Sequence, residues 1–139
     1  MKGGILEKIN IAFVCVHNSC RSQMAEALAK ELCSDTFNSF SAGTEIANNI
    51  NQDAVRIIKS MYNIDMSNNY SKLTTDLPKI DILITMGCNV DCPNIPCTFR
   101  EDWGLDDPST MEDIVFKLTA KLIEEKLKNL CFRIPSLDL

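Results

Sequence analysis

The chain of 139 residues has little of what marks three common classes of protein. Its formal net charge is -5 and its pI is near 4.8, so it lacks the basic excess that nucleic-acid binding requires. Its longest mainly apolar runs, Ile9 to Val16 and Ile80 to Met86, are far shorter than the roughly 20 residues that span a bilayer. The five glycines are too few and too scattered for a dinucleotide-binding loop. We therefore expect no nucleic-acid partner, no membrane span and no nucleotide cofactor.

A secretion signal is also missing. The N-terminus "MKGGILEKIN" has neither the apolar core nor the small-residue cleavage site of a signal peptide, so we expect a cytoplasmic protein. The length predicts one domain over residues 1–139, with its core between about residues 9 and 130, and we expect a monomer. Seven cysteines, an odd number, argue against a framework of structural disulfides. Such thiols are more typical of nucleophiles, redox partners or metal ligands.

Apolar and helical patterns alternate along the chain. Strands are predicted at residues 9–15, 37–43, 80–86 and 97–100. Helical stripes follow the first two strands, and a last helix is predicted to open with Ser109 and Glu112 at the spacing of a capping box. The alternation predicts an α/β domain with a four-stranded parallel sheet, helices on both faces, and a ligand site at the carboxyl ends of the strands.

The loop after the first strand combines a thiol with an anion-binding pattern. Backbone N–H groups and the dipole of the following helix form a cradle for a tetrahedral oxyanion, and Arg21 adds a bidentate grip. Cys15 below such a cradle is favoured as a thiolate, to which Ser22 can donate. The alternative is a buried structural cysteine with a surface arginine nearby. The predicted oxyanion loop comprises Val16, His17, Asn18, Ser19, Cys20, Arg21 and Ser22.

The segment "CVHNSCRSQMAEAL" resembles the active-site loop of low-molecular-weight protein tyrosine phosphatases and of the thioredoxin-coupled arsenate reductases that share their flavodoxin-like fold. The resemblance implies that Cys15 is the nucleophile and that Arg21 binds the oxyanion. It also implies that Asn18 and Ser22 shape the loop and stabilise the thiolate. His17, which lies inside the loop, is a candidate general base, but a thiolate formed in advance needs no base. Cys20 is interpreted as a loop residue.

An acidic segment, "EDWGLDDPST", precedes the last predicted helix. It resembles the Asp-Pro loop of the same family, which implies that Asp107 is the general acid, with Asp106 as the second candidate. An acid is needed because expelling an oxygen is slow unless its developing negative charge is neutralised. The alternative is a turn with solvated carboxylates. Trp103 is expected to pack against this loop.

Three further cysteines follow the third predicted strand in "TMGCNVDCPNIPC". The segment resembles the arsenate reductases, which implies that Cys88 and Cys92 form the resolving pair. Better-known reductases separate that pair by six residues, whereas three lie between these two, which leaves Cys97 as a substitute. On a helix this spacing puts the Cβ atoms about 5 to 6 Å apart, beyond the roughly 3.8 Å of a disulfide. We therefore expect the oxidised segment to differ from the reduced one.

Together these features imply an arsenate reductase that passes electrons through a cysteine relay, with thioredoxin as the reductant and residual phosphatase activity. The alternative is a tyrosine phosphatase that hydrolyses phosphate esters through a phosphocysteine. Pro108 is followed by Ser109 and Thr110 instead of the aromatic residues that phosphatases place there, which favours the reductase. A zinc site is the third interpretation, although no Cys-x2-Cys spacing occurs. Its ligands would be the late cysteines, Cys88, Cys92 and Cys97, with Cys131 as a further ligand. Cys33 and Cys131 are interpreted as packing residues.

Some of these reductases bind potassium beside the loop. The positions that resemble that site all carry oxygen, as a hard cation requires. The alternative is ordinary polar capping around the loop, and we expect no other cofactor. The five positions are Asn18, Glu26, Ser41, Thr74 and Asp76.

Overall fold

In a computed structural model of the chain, residues 8–87 and 94–139 are described. The strands are β1 (Ile9–Cys15), β2 (Phe37–Gly43), β3 (Ile82–Thr85) and β4 (Phe99–Asp102). The α-helices are α1 (Arg21–Leu32), α2 (Gln52–Tyr62) and α3 (Asp113–Arg133). Short 3-10 helices lie at Thr74–Asp76 and Ile134–Ser136. Within these residues no helix has the length and apolar character that a bilayer crossing requires.

The strands form one parallel sheet in the order β2-β1-β3-β4, which confirms the predicted four-stranded parallel sheet. β1 and β2 have the predicted bounds, whereas β3 is shorter than predicted and β4 begins two residues later. The difference arises because β3 is in register with both neighbouring strands only over Ile82–Thr85, and Thr98 and Phe99 both donate to the carbonyl of Asp81. Because all strands are parallel, the residues that follow Cys15, Gly43, Thr85 and Asp102 meet at one edge.

The two faces of β1 are buried against different partners. Ile11 and Phe13 belong to the main core with the buried faces of α1, α2 and α3. Ala12 and Val14 face the other side, where loop residues such as Leu77 cover them. Within residues 8–87 and 94–139, the α-helices therefore cover one face of the sheet, whereas helices on both faces were expected. The residues that cover the second face are Leu77, Ile80, Ile95 and Cys97.

The predicted capping box at the start of α3 is wrong. The helix begins at Asp113, and Glu112 precedes it without a side-chain capping bond. Residues 108–111 form a turn instead, in which Thr110 has a φ of 71°. This left-handed backbone interrupts a helical path, so Ser109 cannot act as the cap. Its N–H donates to the Asp107 Oδ1 at 3.0 Å and thereby fixes the acidic loop.

Glu124 connects α2 to α3 through a buried carboxylate. The Tyr62 hydroxyl donates to its Oε1 at 2.7 Å, and the ammonium groups of Lys121 and Lys128 each lie 3.0 Å from the carboxylate. These hydrogen bonds, led by that of Tyr62, lower the pKa of Glu124 to about 2. The charged form is therefore the one that stabilises the helix pair.

We expect Glu124→Gln to lower the free energy of unfolding by about 1 to 2 kcal/mol at neutral pH, because charge-assisted hydrogen bonds are lost. The pKa of Glu124 is lower in the folded chain than its ordinary value of 4.5. The stabilisation from the Glu124 carboxylate is therefore fully present above pH 4.5 and is lost as the pH falls toward 2. Urea unfolding at pH 7 and pH 3 measures both effects. Glu125→Gln, which alters an exposed neighbour, is the matched control. An equal loss in both variants at pH 7 would contradict this role for Glu124.

Candidate active site

The Cys15 sulfur lies at the carboxyl end of the central strand, in the first turn of a buried loop. Its side chain is nearly inaccessible to solvent, with the residue 5% exposed. The Asn18 N–H donates to the sulfur at 3.3 Å, and the Ser22 hydroxyl lies 3.0 Å from it. The Nδ2 of Asn18 donates to the Ser22 oxygen at 2.9 Å, which leaves the Ser22 hydroxyl proton free to face Cys15. Both donors therefore stabilise negative charge on the sulfur.

Asn18 is the centre of the loop's hydrogen bonds. It has a left-handed φ of 53° and is fully buried. Its Oδ1 accepts from the Lys72 N–H at 2.8 Å and from the Gln23 Nε2 at 3.0 Å. Gln23 also donates to the Tyr70 carbonyl at 2.9 Å. These contacts hold the Asn18 N–H in the direction of the Cys15 sulfur.

Gly43 allows the loop to approach β2 closely. A Cβ at this position would lie 2.5 Å from the Val16 carbonyl oxygen and 2.9 Å from the Asn18 nitrogen, distances that real Cβ atoms do not show. The same carbonyl of Val16 accepts from the Glu45 N–H at 2.9 Å. Glycine is therefore required here for space, and the loop rests directly on the strand next to β1.

The guanidinium of Arg21 spans from the loop to the ends of two other segments. Its Nη1 donates to the Met86 carbonyl at 2.6 Å and to the Leu105 carbonyl at 2.7 Å. Gly87, at a φ of 89°, permits this meeting, because a Cβ there would lie 3.2 Å from the Leu105 oxygen. Two carbonyls on one nitrogen fix the plane of the guanidinium. The remaining N–H groups are the ones that an oxyanion would engage.

Asp107, the predicted acid, lines the same small cavity as Cys15, the predicted nucleophile. A cavity of about 30 Å³ has room for about two water-sized groups. Burial and the negative charge of Asp107 raise the pKa of the Cys20 thiol to about 12. Cys20 is therefore a neutral wall of the cavity and not a second thiolate. The lining residues are Cys15, Val16, His17, Ser19, Cys20, Arg21 and Asp107.

His17 lies at the exposed rim of the site, and Trp103 packs beneath the acidic loop. The His17 Nε2 lies 3.2 Å from the Glu45 carboxylate, with both side chains exposed, so its partner is Glu45. The Trp103 indole donates to Glu101 at 2.8 Å, and its ring centroid lies 5.7 Å from that of Phe13. Trp103 therefore anchors the acidic loop to the core beside the sheet.

Glu26, one of the five expected potassium ligands, already has partners within the protein. Ser41 donates to Glu26 Oε1, and the ammonium groups of Lys30 and Lys72 lie 2.9 and 3.6 Å from the Glu26 carboxylate. The Lys72 ammonium also donates to the Tyr70 carbonyl at 3.0 Å. Asp76 and Thr74 lie in a separate 3-10 turn, where Asp76 accepts from the Leu73 N–H. The residues present do not fit a potassium ion at Glu26, because two lysines already neutralise its charge.

The expected resolving pair, Cys88 and Cys92, lies outside the described residues. Cys97 is described and is a half-buried free thiol at the second face of the sheet. In the chain segments 8–87 and 94–139 no group of three metal-ligating side chains is arranged to hold a metal ion.

Three supporting residues were missed by reasoning from the sequence: Gln23, Lys72 and the carbonyl of Met86. Gln23 follows the Arg-Ser pair directly, so its place on the buried side of α1 was a usable signal. Lys72 has no local signal, because it meets Asn18 and Glu26 only through the fold. Backbone carbonyls such as that of Met86 have no sequence signature at all.

Comparison with known proteins agrees with this geometry. A family model, "Low molecular weight phosphotyrosine protein phosphatase", matches residues 10–137. The chain is 37% identical over 126 residues to an arsenate reductase of Bacillus cereus (strain Q1), which covers 87% of this chain and 92% of that protein. It is 37% identical over 131 residues to an arsenate reductase of Staphylococcus aureus (strain N315), with 88% and 98% covered.

Solved structures give the same result. An arsenate reductase in its phosphate-binding state matches with a TM-score of 0.82 at 31% identity, over 91% of this chain and 98% of that one. The loop, the parallel sheet and the match over residues 10–137 confirm the resemblance noted in the sequence, and this chain belongs to the low-molecular-weight phosphotyrosine protein phosphatase family.

Proposed function

We propose that this chain is an arsenate reductase. The observation that carries the proposal is the Cys15 cradle, in which a buried sulfur faces two hydrogen-bond donors beneath an oriented Arg21. The similarity to arsenate reductases over most of the chain supports arsenate as the oxyanion. Within the described part of the chain, the cavity between the loop and Asp107 is lined by no Phe, Tyr or Trp side chain that could stack on the ring of an ester.

The first step is attack on arsenic. The Cys15 sulfur forms a bond to As(V), and one arsenic oxygen leaves as water after Asp107 supplies a proton. Arg21 and the loop amides bind the other oxygens, where their charge develops. Arsenic remains pentavalent in this adduct, so the two-electron reduction belongs to the next step.

The second step uses the late cysteines. The sulfur of Cys88 attacks the Cys15 sulfur, the electron pair of the sulfur–arsenic bond stays on arsenic, and arsenite leaves. Cys92 then attacks Cys88, which returns Cys15 to its thiol form and leaves a Cys88–Cys92 disulfide. Cys97 is the substitute where the short spacing of the pair hinders its closure.

We propose thioredoxin as the reductant of that disulfide, and the cytoplasm as the compartment. A Corynebacterium glutamicum protein described as a thioredoxin-dependent arsenate reductase matches with a TM-score of 0.72 at 27% identity, over 96% of this chain and 66% of that one. The relay needs its cysteines in the thiol form, and the cytoplasm is the compartment that keeps thiols reduced.

A second candidate function is hydrolysis of phosphate esters, favoured by the family's phosphatase chemistry. Phosphate and arsenate have the same charge and shape, so the cradle accepts both. The thiolate would attack phosphorus, and water would then hydrolyse the phosphocysteine. The segment Ser109–Thr110 beside the acid offers no ring for stacking, so we propose this as a residual activity.

The relay is tested by arsenate-dependent NADPH oxidation with thioredoxin and thioredoxin reductase. We expect Cys92→Ser to reduce turnover to background while para-nitrophenyl phosphate hydrolysis continues, because only arsenate reduction requires the late thiols. Cys15→Ser should abolish both activities. A native chain that hydrolyses the ester briskly but gives no arsenate turnover would contradict the proposal and favour the phosphatase.

The acid is tested by Asp107→Asn, with Asp106→Asn as the matched control. We expect Asp107→Asn to lower hydrolysis of a phenyl phosphate, which has a poor leaving group, by about 10²- to 10⁴-fold. The effect should shrink with para-nitrophenyl phosphate, whose leaving group needs less protonation. Equal losses in the two variants, or a loss that is independent of the leaving group, would exclude Asp107 as the acid.

We also infer that Lys72 supplies at Glu26 the positive charge that potassium would bring. Its ammonium lies against the Tyr70 carbonyl, the Glu26 carboxylate and the Tyr70 ring, whose centroid is 4.9 Å away. Burial lowers the pKa of Lys72, and Glu26 opposes that shift. Because the Lys72 N–H holds Asn18, fixing this side chain also steadies the loop.

Activity in potassium and sodium salts at one ionic strength tests this inference. We expect equal rates for the native chain. Lys72→Met should lower kcat/KM and make the rate higher in potassium than in sodium, because Glu26 then lacks its buried partner. Lys30→Met, which removes an exposed ammonium from the same carboxylate, is the control and should change little. A native chain that is faster in potassium would contradict the role of Lys72.

A further inference from the structure

Two cysteines that the relay does not use lie in contact. Cys33 follows the last residue of α1, and Cys131 lies in the final turn of α3. Their sulfur atoms are 3.1 Å apart, although the residues are 98 positions apart in the chain. Nothing in the sequence near either cysteine links the two, so each alone was predicted to be a packing residue.

Hydrogen bonds hold the backbone of Cys33 in place. The Cys33 N–H donates to the Ala29 carbonyl at 2.9 Å, and the Cys33 carbonyl accepts from Thr36 and Phe37 at 3.0 Å each. A disulfide requires sulfur atoms about 2.0 Å apart, so an approach of about 1 Å closes the bond. We expect rotation of the two side chains to supply this movement.

The pair is remote from the catalytic loop. Cys33 and the loop lie at opposite ends of α1, a helix of 12 residues that is about 18 Å long. Chemistry at Cys33 therefore takes place at the amino edge of the sheet, whereas Cys15 lies at the carboxyl edge. The two sites can react independently.

The two thiols differ in access. Cys33 is buried, at 7% exposure, and burial together with the neighbouring Cys131 sulfur raises its pKa. Cys131 is partly exposed and precedes Phe132, which is 84% exposed. A reagent in solution therefore reaches Cys131 first.

We propose that Cys33 and Cys131 form a second thiol–disulfide site, which reacts with low-molecular-weight disulfides of the glutathione class independently of Cys15. The Cys131 thiolate attacks one sulfur of the small disulfide, forms a mixed disulfide and releases one small thiolate. Cys33 then loses its proton to solvent, and its sulfur attacks that of Cys131 and releases the second small thiolate. One small disulfide is reduced to two thiols, and the protein gains one disulfide.

The expected consequence is stabilisation of the folded chain. A bond between residues 98 apart closes a long loop and restricts the unfolded chain strongly. It would also tie the end of α1 to the end of α3, which pack against each other in the main core. Oxidation should therefore raise the melting temperature by roughly 5 °C or more.

The direct test is peptide mapping of the native full chain after treatment with glutathione disulfide and alkylation of the remaining thiols. We expect a cross-linked peptide pair that contains Cys33 and Cys131, with a mass lower by two hydrogen atoms than that of the two reduced peptides. Alkylation of both residues after this treatment, or a bond from Cys33 to a different cysteine, would overturn the proposal. Arsenate reductase activity does not enter this readout, so it stands or falls apart from the proposed function.

Melting temperatures supply the second readout, as the difference between oxidised and reduced samples of each variant. The native chain and Cys97→Ser, which removes a half-buried thiol elsewhere, should both show the increase. Cys131→Ser should show a smaller increase, because it lacks the contribution of the Cys33–Cys131 bond. An equal increase in Cys131→Ser would overturn the proposal, whatever the variant's own stability, because each sample is compared with its own reduced form.

Discussion

The close approach of the Cys15 loop to Gly43 is the constraint on which the rest of the site depends. With a side chain at residue 43 the Val16 carbonyl and the Asn18 nitrogen would have to move away from β2. At the observed distance Asn18 adopts its left-handed backbone and turns its N–H to the Cys15 sulfur. The Cys15 sulfur therefore acquires the Asn18 donor from the way two parallel strands end side by side.

Charges around this loop are matched within the protein. Arg21 is oriented by the carbonyls of Met86 and Leu105, which join the end of β3 to the acidic loop. Glu26, behind the loop, is neutralised by Lys30 and Lys72. An overall acidic chain can bind an oxyanion in this way, because local donors and one guanidinium act at short range where net charge has little effect.

Much of the fold and the centre of the site could be predicted because their signals are local. The apolar run of β1, the loop after it and the helical stripe of α1 follow one another, and the chain folds as they indicate. The predicted ends of β3 and β4 differ from the observed ones because hydrogen-bonded pairing across the sheet sets where these strands end, and the pattern of side chains does not. The start of α3 was misplaced because the turn that holds Asp107 overrides the capping pattern at Ser109.

The contacts that could not be predicted are those made between distant parts of the chain. Lys72 meets Glu26, and Cys33 meets Cys131, only after the sheet has formed. A lysine or a cysteine read alone indicates a solvated charge or a packing residue. The partner that the fold brings to it changes that interpretation. In this chain Glu26 is such a partner for Lys72 behind the loop, and Cys33 is one for Cys131.

A single-turnover experiment measures whether the thiols of this chain reduce arsenate. The fully reduced chain is mixed with arsenate in the absence of any reductant, and released arsenite and remaining free thiols are counted. We expect one arsenite for each chain and the loss of two of the seven thiols, since reduction of arsenic by two electrons forms one disulfide. Retention of all seven thiols with no arsenite would contradict this expectation.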